Sequence, residues 1–339
     1  MFSLNDYRAL KGAAALLDRS GRGRVRLTGS DRRSYLQGLL TNDIAALSPH
    51  SGCYAALLTP QGRMITDMRV SETGDAVLLD LPGATSAAVR DKLEQFIFSE
   101  DVAVADVTAS LAQLGVYGPE APRVVAGALR PADGSRLSTE LDAMRMYANA
   151  LRDFNAAPVT IVRSDDFGVD GFDLFVPREA EGSLRTALNA AGASEIAADA
   201  ADVCRIEAAR PLWGVDMDGE TIPLEAGIEG RAISLTKGCY VGQEIVIRVL
   251  HRGHGRVARR LVQLVLDGDA VPANGDRIKS AEKDAGRVTS AAMSPSFGRP
   301  IALGYVHRDV AMEGSRVAVT AHGREVGAQI MKIAGAGSA

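Results

Sequence analysis

The chain contains the stretch Ala76-Val77-Leu78-Leu79-Asp80-Leu81-Pro82, an apolar run that a proline ends. Such a run predicts a β-strand, and the residues after Pro82 place apolar side chains at helical spacing. The same order returns after a shift of 95 residues, where residues 172–176 precede Pro177 and another helical pattern. The matching positions are Leu79 and Leu174, Leu81 and Val176, Pro82 and Pro177, Val89 and Leu184, and Leu93 and Leu188. The repeat predicts an α+β fold with two pseudo-duplicated subdomains, each a small sheet with helices on one side.

Segments on either side of the repeat also have strand character. Apolar runs predict strands over 21–27, 53–58 and 64–70, and Ser30 is a candidate helix cap. After about residue 255, short strands alternate with Gly, Pro, Asn and Asp turns, over 260–266, 285–292, 301–306, 316–321 and 325–330. The pair His322-Gly323 predicts a tight hairpin between the last two. We therefore predict a module of residues 1–250, with its internal boundary near 118–145, and a C-terminal antiparallel β-barrel over 255–335.

Composition restricts the class of protein. The 339 residues are 46% hydrophobic and 24% charged, as in ordinary globular proteins. A net charge of −4 argues against stable nucleic-acid binding, which usually requires a basic excess. No apolar run approaches the roughly 18 residues that span a bilayer, so we expect no membrane association and a cytoplasmic location. Three cysteines fit a reducing compartment and are too few to supply the four thiolates of an iron–sulfur cluster.

The strongest chemical signal is the octapeptide Lys237-Gly238-Cys239-Tyr240-Val241-Gly242-Gln243-Glu244. A cysteine reacts as its thiolate, which a nearby cation or a helix N-terminus stabilises. Lys237 supplies the cation, and the apolar spacing after it predicts a helix that begins close to the thiol. Glu244 and Arg248 are expected to pair along that helix. We predict that Cys239 and Lys237 are catalytic; the alternative is a buried, inert cysteine beside a solvated lysine.

Two acids interrupt predicted strands. Strand alternation places Asp67 on the same face as Ile65 and Arg69, and Asp173 lies in the second copy of the repeated strand. An acid in an apolar strand is costly unless it has a partner or lines a cavity, so both are candidate site residues. The alternatives are a surface pair of Asp67 with Arg69, and a turn acid at Asp173 that ends a hairpin.

A helix-to-loop segment supplies two further candidates. Arg205 could neutralise an anionic group, and Trp213, the single tryptophan, could stack on a flat ring. The alternatives are an arginine on a solvated helix face and a tryptophan in the core. The basic residues between 248 and 260 indicate a solvated linker, and His251 and His254 have no third ligand nearby, so we predict no metal site. The sequence has no Walker-type phosphate loop, dinucleotide fingerprint or Ser-His-Asp signature.

The octapeptide resembles the signature K-G-C-Y-x-G-Q-E of the YgfZ group of folate-binding proteins, which are relatives of the glycine-cleavage aminomethyltransferase. Residues 60–67, 168–173 and 204–213 also resemble segments of that superfamily. The resemblance implies three domains around a central channel that binds tetrahydrofolate or a derivative. It implies that Asp67 lies beside the reactive nitrogens of the folate and that Asp173 holds the pteridine ring. The other predicted folate contacts are Arg205, Trp213, Tyr240, Gln243, Glu244 and Arg248.

The same resemblance implies a function. The expected protein binds tetrahydrofolate and supports assembly or repair of iron–sulfur clusters in client enzymes, tRNA-modifying enzymes among them, so its partners would be folate and client or assembly proteins. Two alternatives stay open: an aminomethyltransferase of glycine cleavage, and a ligand-free scaffold for cluster-assembly partners. Against the transferase, aminomethyltransferases carry two adjacent acids where this chain has Thr66 before Asp67. Asp173 likewise stands where those enzymes usually carry a glutamate.

Overall fold

The computed structural model describes residues 2–129, 134–252 and 256–335. The helices in these ranges are α1 (Leu4–Gly12), α2 (Arg32–Gln37), α3 (Ser86–Gln95), α4 (Ala121–Leu129), α5 (Gly134–Asp142), α6 (Glu181–Ala190), α7 (Ala198–Glu207), α8 (Pro223–Ala226), α9 (Glu229–Ala232) and α10 (Gln243–Ile247). The strands are β1 (Ala15–Asp18), β2 (Gly23–Thr28), β3 (Ser51–Leu58), β4 (Met64–Glu72), β5 (Val77–Leu81), β6 (Ala103–Asp106), β7 (Leu111–Tyr117), β8 (Asn149–Phe154), β9 (Ala157–Ser164), β10 (Gly171–Pro177), β11 (Ser194–Glu195), β12 (Arg259–Leu266), β13 (Arg277–Ser280), β14 (Lys283–Ser294), β15 (Arg299–His307), β16 (Arg316–Ala321) and β17 (Arg324–Ile333). Among the described residues, none of the helices combines the length and the apolar character needed to cross a membrane.

The chain divides into two compact units. The first comprises Met1–Ala55 and Thr66–Ala201, and the second comprises Ala56–Ile65 and Asp202–Ala339. The first unit contains a six-stranded sheet of order β11-β1-β7-β10-β9-β8 and most of a five-stranded sheet of order β3-β4-β5-β2-β6. The predicted boundaries at 118–145 and 250–255 stay predictions.

The predicted repeat is present in the first unit. In its first copy, β5 leads through Pro82 into a 3₁₀ turn and then α3, whose buried face includes Val89 and Leu93. In its second copy, β10 leads through Pro177 into a 3₁₀ turn and then α6. The buried apolar residues of α6 are Leu184 and Leu188. Each proline fits because it stands at the cap of the 3₁₀ turn, where no helical hydrogen bond requires its missing N–H.

One hydrophobic core lies between the six-stranded sheet and its helices. Strand residues such as Leu114 and Leu174 and helix residues such as Val125, Leu184 and Leu188 belong to the same buried cluster. In the five-stranded sheet, Gly23 of β2 faces the start of α3, because a Cβ there would lie 2.5 Å from Ser86 Cβ.

The second unit contains a closed six-stranded barrel of order β12-β15-β14-β13-β16-β17. Its core includes Val262, Leu264, Val288 and Ile330, all at most 1% exposed. The hairpin turn His322-Gly323 is confirmed, since both residues have positive φ, 50° and 76°. The fold prediction of two sheet-and-helix halves and a C-terminal antiparallel barrel is therefore correct.

Several local predictions were incomplete, and strands β7, β8 and β9 of the six-stranded sheet were not predicted. Helix α2 begins after Asp31 rather than Ser30, and the Ser30 hydroxyl instead donates to Asp101 Oδ2 at 2.9 Å. Strand β13 was missed because it has only four residues and a single fully buried one, Ile278, so it shows no apolar pattern.

The barrel core gives a direct test of packing. Leu264→Ala should lower the free energy of unfolding by about 2–5 kcal/mol, because it removes three buried carbon atoms and leaves a cavity. The matched control is Met331→Ala on β17, where the side chain is 44% exposed and the change should stay within about 0.5 kcal/mol. Denaturant unfolding measures both; equal losses for the two variants would contradict this assignment of the barrel core.

Candidate functional site

A buried network of charged and polar side chains lies between the two sheets of the first unit. At its centre is Asp173 of β10, which is 1% exposed. Its Oδ1 accepts hydrogen bonds from Gln113 Nε2 and from the Tyr117 hydroxyl, each at 3.0 Å. Arg19 Nη1 donates to Oδ2 at 3.3 Å. Two donors from the neighbouring strand β7 and one from Arg19, the residue after β1, thus converge on one carboxylate.

Gln113 extends the network to the five-stranded sheet. Its Nε2 also donates to Asp80 Oδ2, at 3.2 Å. Asp80 lies on β5, directly opposite Arg24 of β2 and Arg69 of β4. Arg69 Nη1 donates to Asp80 Oδ2, and Arg22 Nε donates to Oδ1 at 2.5 Å. One amide therefore connects an acid in each sheet.

Electrostatics keep Asp80 ionised. Burial disfavours its charge, but Arg22, Arg69 and Arg19 outweigh burial, and the pKa of Asp80 lies well below its ordinary value. Asp166 provides the second bridge, because its Oδ2 accepts from Arg19 Nη2 at 2.6 Å and its Oδ1 from Arg69 Nε at 2.8 Å. The network is thus an alternating chain of acids and arginines.

Two aromatic rings enclose one end of this chain. Arg19 lies over the rings of Tyr117 and Phe167, with its guanidinium carbon 5.8 Å and 5.2 Å from the two centroids. The rings meet edge to face at 5.0 Å. Burial raises the pKa of Tyr117, so its phenol stays protonated and can donate to Asp173.

The structure thus gives Asp173 a set of internal partners that the sequence did not indicate. A turn acid at this position is wrong, because Asp173 is in mid-strand and almost wholly buried. Its predicted contact with a pteridine ring stays a prediction, and a ligand there would compete with the donors Arg19, Gln113 and Tyr117. These partners were missed because no local pattern relates them to Asp173.

Asp67 has a different environment, on β4 two residues before Arg69. The Tyr54 hydroxyl donates to Asp67 Oδ2 at 2.7 Å, whereas Oδ1 is buried and has no hydrogen-bond partner. The alternative of a surface pair with Arg69 is wrong, since that guanidinium is buried and bonds to Asp80 and Asp166. An unpaired, buried carboxylate oxygen is unfavourable unless a further donor binds to it. Asp67 is therefore the best candidate for direct contact with a ligand.

Thr66, which replaces the expected second acid, faces away from that oxygen. Its side chain is fully buried, and its hydroxyl lies 3.0 Å from the Thr85 hydroxyl. Alternation along β4 places the side chains of Thr66 and Asp67 on opposite faces of the sheet. The presence of Thr66 in place of an acid therefore does not alter the face of β4 that carries Asp67.

The octapeptide lies in the second unit and has an exposed thiol, that of Cys239. Lys237 is 9% exposed, and its Nζ lies 5.0 Å from the centroid of the Tyr240 ring, in a cation–π contact. Burial raises the pKa of Tyr240 to about 12, and its hydroxyl is buried without a hydrogen-bond partner. The alternative of a buried cysteine beside a solvated lysine is thus wrong in both parts, and the catalytic roles of Cys239 and Lys237 stay predictions.

The helix after the thiol begins later than expected. It starts at Gln243, four residues beyond Cys239, and α10 continues directly into a π-helical turn over Arg248–Arg252. The predicted pair is confirmed, since Arg248 Nη2 donates to Glu244 Oε1 at 2.6 Å on the exposed surface. The predicted histidine pair lies outside the described part of the chain: His254 belongs to the undescribed residues, and the side chain of His251 is not described.

Within the second unit, the octapeptide packs on the turn that precedes β4. Gly242 has φ of 83°, and a Cβ there would lie 2.5 Å from Thr59 O and 3.2 Å from Gly62 Cα. Gly62, with φ of 74°, faces Ile245 in the same way, at 2.8 Å from its Cβ. The octapeptide and the turn before β4 are therefore in contact, because both have a glycine where they cross.

Arg205 has internal partners that the sequence did not indicate. It is 4% exposed and donates to Asp202 Oδ1 at 2.5 Å, to Asp216 Oδ2 at 2.7 Å and to Ser290 Oγ at 2.9 Å. The alternative of an arginine on a solvated helix face is therefore wrong, whereas the predicted contact of Arg205 with folate stays a prediction. Trp213 is partly exposed, and a β-bridge joins it to Met217, so stacking on a ligand stays a prediction.

The two sheet-and-helix halves and the closed barrel define an architecture that known proteins share. The GCVT N-terminal domain family matches residues 2–237, and the glycine cleavage T-protein C-terminal barrel domain matches residues 259–333. The chain therefore belongs to the glycine cleavage T-protein family.

Individual relatives agree with this assignment. The aminomethyltransferase of Streptomyces coelicolor is 32% identical over 307 residues, which cover 89% of this chain and 80% of the relative. The aminomethyltransferase of Nostoc sp. is 29% identical over 333 residues, which cover 96% of this chain and 86% of the relative. The crystal structure of the glycine cleavage system aminomethyltransferase T from Bartonella henselae has the same fold, with a TM-score of 0.82 at 21% identity over 97% of this chain and 88% of that one.

These similarities correct the functional prediction. The superfamily was predicted correctly, but the role in iron–sulfur cluster assembly or repair, with its client and assembly partners, is contradicted. The similar curated proteins are aminomethyltransferases, and the similarity extends over most of the chain rather than over the octapeptide alone. The findings favour the alternative of a glycine-cleavage transferase.

The network between the sheets gives a prediction that depends on pH. Asp80→Asn should cost about 3–5 kcal/mol of unfolding free energy at pH 7, because Arg69 and Arg22 lose a buried counter-charge. The pKa of Asp80 in the folded state lies below its ordinary value of 3.8. The stabilisation that its charge provides is therefore complete above pH 3.8 and is lost as the pH falls toward the folded-state pKa. The deficit of the variant should therefore shrink when denaturant unfolding is repeated below pH 4.

The control is Asp75→Asn, which removes the exposed partner of Arg26 in the same unit. It should change stability by no more than about 1 kcal/mol at any pH. An Asp80→Asn deficit that stays constant between pH 7 and pH 2.5 would contradict the ionised network.

Proposed function

We propose that this protein is a tetrahydrofolate-dependent aminomethyltransferase in which Asp67 is the carboxylate at the reacting centre. The observation that carries the proposal is the buried Oδ1 of Asp67, which has no hydrogen-bond partner inside the protein. Membership of the T-protein family and about 30% identity to aminomethyltransferases support the reaction class.

Tetrahydrofolate is the substrate or cofactor of aminomethyltransferases, and family membership supports the same for this chain. The residues fit such a group, because an N–H donor of the ligand would satisfy the unpaired oxygen of Asp67. When bound, tetrahydrofolate supplies the nitrogens that carry the one-carbon unit. Asp67 would orient one of these N–H groups and accept its proton at Oδ1.

The position of Thr66 supports this proposal. Aminomethyltransferases carry a second acid at this position, which this chain lacks. Since Thr66 bonds to Thr85 on the opposite face of β4, an acid there would not extend toward the face of Asp67. The replacement is thus compatible with transfer chemistry at Asp67.

The other predicted site residues stand as parts of the same proposal. We propose that Asp173 and Trp213 contribute to the pteridine pocket and that Tyr240, Gln243, Glu244 and Arg248 belong to the folate-binding surface. We also propose domain boundaries near 118–145 and 250–255, and a cytoplasmic location. The location is supported by the three cysteines, none of which forms a disulfide.

The octapeptide supports a finer placement of this chain in the YgfZ-type group of the family. We propose that its exposed Cys239 is a reactive residue near the transfer reaction, and that buried Lys237 holds the segment by its contact with Tyr240.

The central prediction concerns Asp67→Asn. In a reconstituted glycine-cleavage assay under anaerobic conditions, with lipoyl-bound aminomethyl donor and tetrahydrofolate, this variant should be slower by a factor of about 10²–10⁴. The reason is that an amide keeps the shape of the carboxylate but cannot accept the proton. Asp153→Asn, an exposed acid on β8, is the control and should keep the wild-type rate. Absence of turnover by the wild type, or equal rates for Asp67→Asn and the wild type, would contradict the proposal.

A second prediction tests the thiol. Iodoacetamide should modify exposed Cys239 before buried Cys204, and peptide mass spectrometry measures the order. Cys239→Ala should reduce turnover at least tenfold and leave tetrahydrofolate affinity within about twofold if the thiol takes part in transfer. Cys204→Ala is the control, because that thiol is buried in the second unit. Unchanged turnover of Cys239→Ala would rule out the catalytic role.

A further inference from the structure

We infer that Tyr54 is a positioning residue that selects Oδ1 of Asp67 as the reactive oxygen, and that Tyr147 fixes Tyr54 for this task. This inference rests on the proposed function of Asp67 and adds a specific assembly of residues to it. Every contact in it lies within the first compact unit.

The first step is the bond between Tyr54 and Asp67. The two residues lie on the neighbouring strands β3 and β4. The Tyr54 hydroxyl donates to Oδ2 at 2.7 Å, a normal length for an O–H···O hydrogen bond. This bond distinguishes two otherwise equivalent oxygens, because Oδ2 has a donor and Oδ1 has none. A carboxylate held at one oxygen keeps the other in a fixed direction.

The second step is the fixation of Tyr54 itself. Its side chain is only 8% exposed, and its carbonyl accepts a hydrogen bond from Asn42 Nδ2 at 2.8 Å. The ring of Tyr147 stacks on it, with centroids 6.5 Å apart and an angle of 20° between the planes. The stacking limits rotation of the Tyr54 ring about its χ angles, so the hydroxyl stays directed at Asp67.

The third step is the unusual backbone of Tyr147. This residue has φ of 63°, a left-handed conformation that is rare for an aromatic residue. Its N–H donates to Arg163 O at 3.1 Å. Its carbonyl lies close to Gly52, where a Cβ would be 2.5 Å from Tyr147 O and 2.4 Å from Val70 O. Strain of this kind persists where surrounding contacts hold it, and here it places a ring against Tyr54.

The decisive variant is Tyr54→Phe, which keeps the ring and removes only the hydroxyl. With one donor removed, both oxygens of Asp67 become equivalent acceptors and the carboxylate can rotate. The expected result is a 10- to 100-fold fall in kcat with the KM for tetrahydrofolate changed less than threefold. In the Asp67→Asn background the same change should have no further effect, because the positioned group is gone.

A second readout needs neither ligand nor turnover. In protein labelled with ¹³C at the aspartate carboxyl carbons, the Asp67 signal is identified by its loss in Asp67→Asn. That signal should shift in Tyr54→Phe and, to a smaller extent, in Tyr147→Leu. The control is Tyr35→Phe, since Tyr35 is also 8% exposed but donates its hydroxyl to Leu93 O. This control should leave both the signal and kcat unchanged.

The outcomes separate the inference from the proposed function. If Asp67→Asn keeps full activity, the proposed function fails whatever Tyr54→Phe does. If Asp67→Asn is inactive while Tyr54→Phe keeps kcat within twofold and leaves the carboxyl signal in place, the positioning role of Tyr54 is overturned and the function stands. If Tyr147→Leu leaves the carboxyl signal in place while Tyr54→Phe shifts it, only the role of Tyr147 is overturned.

Discussion

The amide of Gln113 donates to Asp80 of one sheet and to Asp173 of the other, and this shared contact joins the two halves of the first unit. Both acids are almost wholly buried, so each must be compensated in place. Arg22 just before β2, Arg69 of β4 and Arg19 just after β1 supply that compensation. Each acid has three side-chain donors, and removal of either acid would leave buried arginine charge with one counter-charge fewer.

Strand β4 connects this network of buried charges with the candidate site. Arg69 belongs to the network, and Asp67 lies two residues earlier on the same face of β4. The network therefore fixes the strand from which Asp67 projects, while Tyr54 fixes the carboxylate itself. A rigid strand and a single donor together explain how an acid can keep one oxygen unpaired in a defined direction. Such preorganisation is what a proton acceptor in a transfer reaction requires.

The octapeptide led to the right superfamily and the wrong function. Several of its residues have packing roles: Gly242 allows contact with the turn before β4, and Lys237 lies against the buried ring of Tyr240. A short motif whose residues are partly constrained by packing indicates kinship more reliably than chemistry. Similarity to aminomethyltransferases over most of the chain, together with the direction of Thr66, carries more weight for the reaction.

The sequence by itself determined features that depend on local geometry. These are the repeated strand, proline and helix, the His322-Gly323 hairpin, and the alternation that separates Asp67 from Thr66. Only the tertiary structure decided the partners, because Arg19 and Gln113 are 154 and 60 residues from Asp173 along the chain. It also decided the partners of Arg205, whose guanidinium donates to Asp216 and Ser290. A backbone dihedral preference, or the alternation of side chains along a strand, is encoded within a few residues. The pairing of buried charges depends instead on which strands the fold brings together.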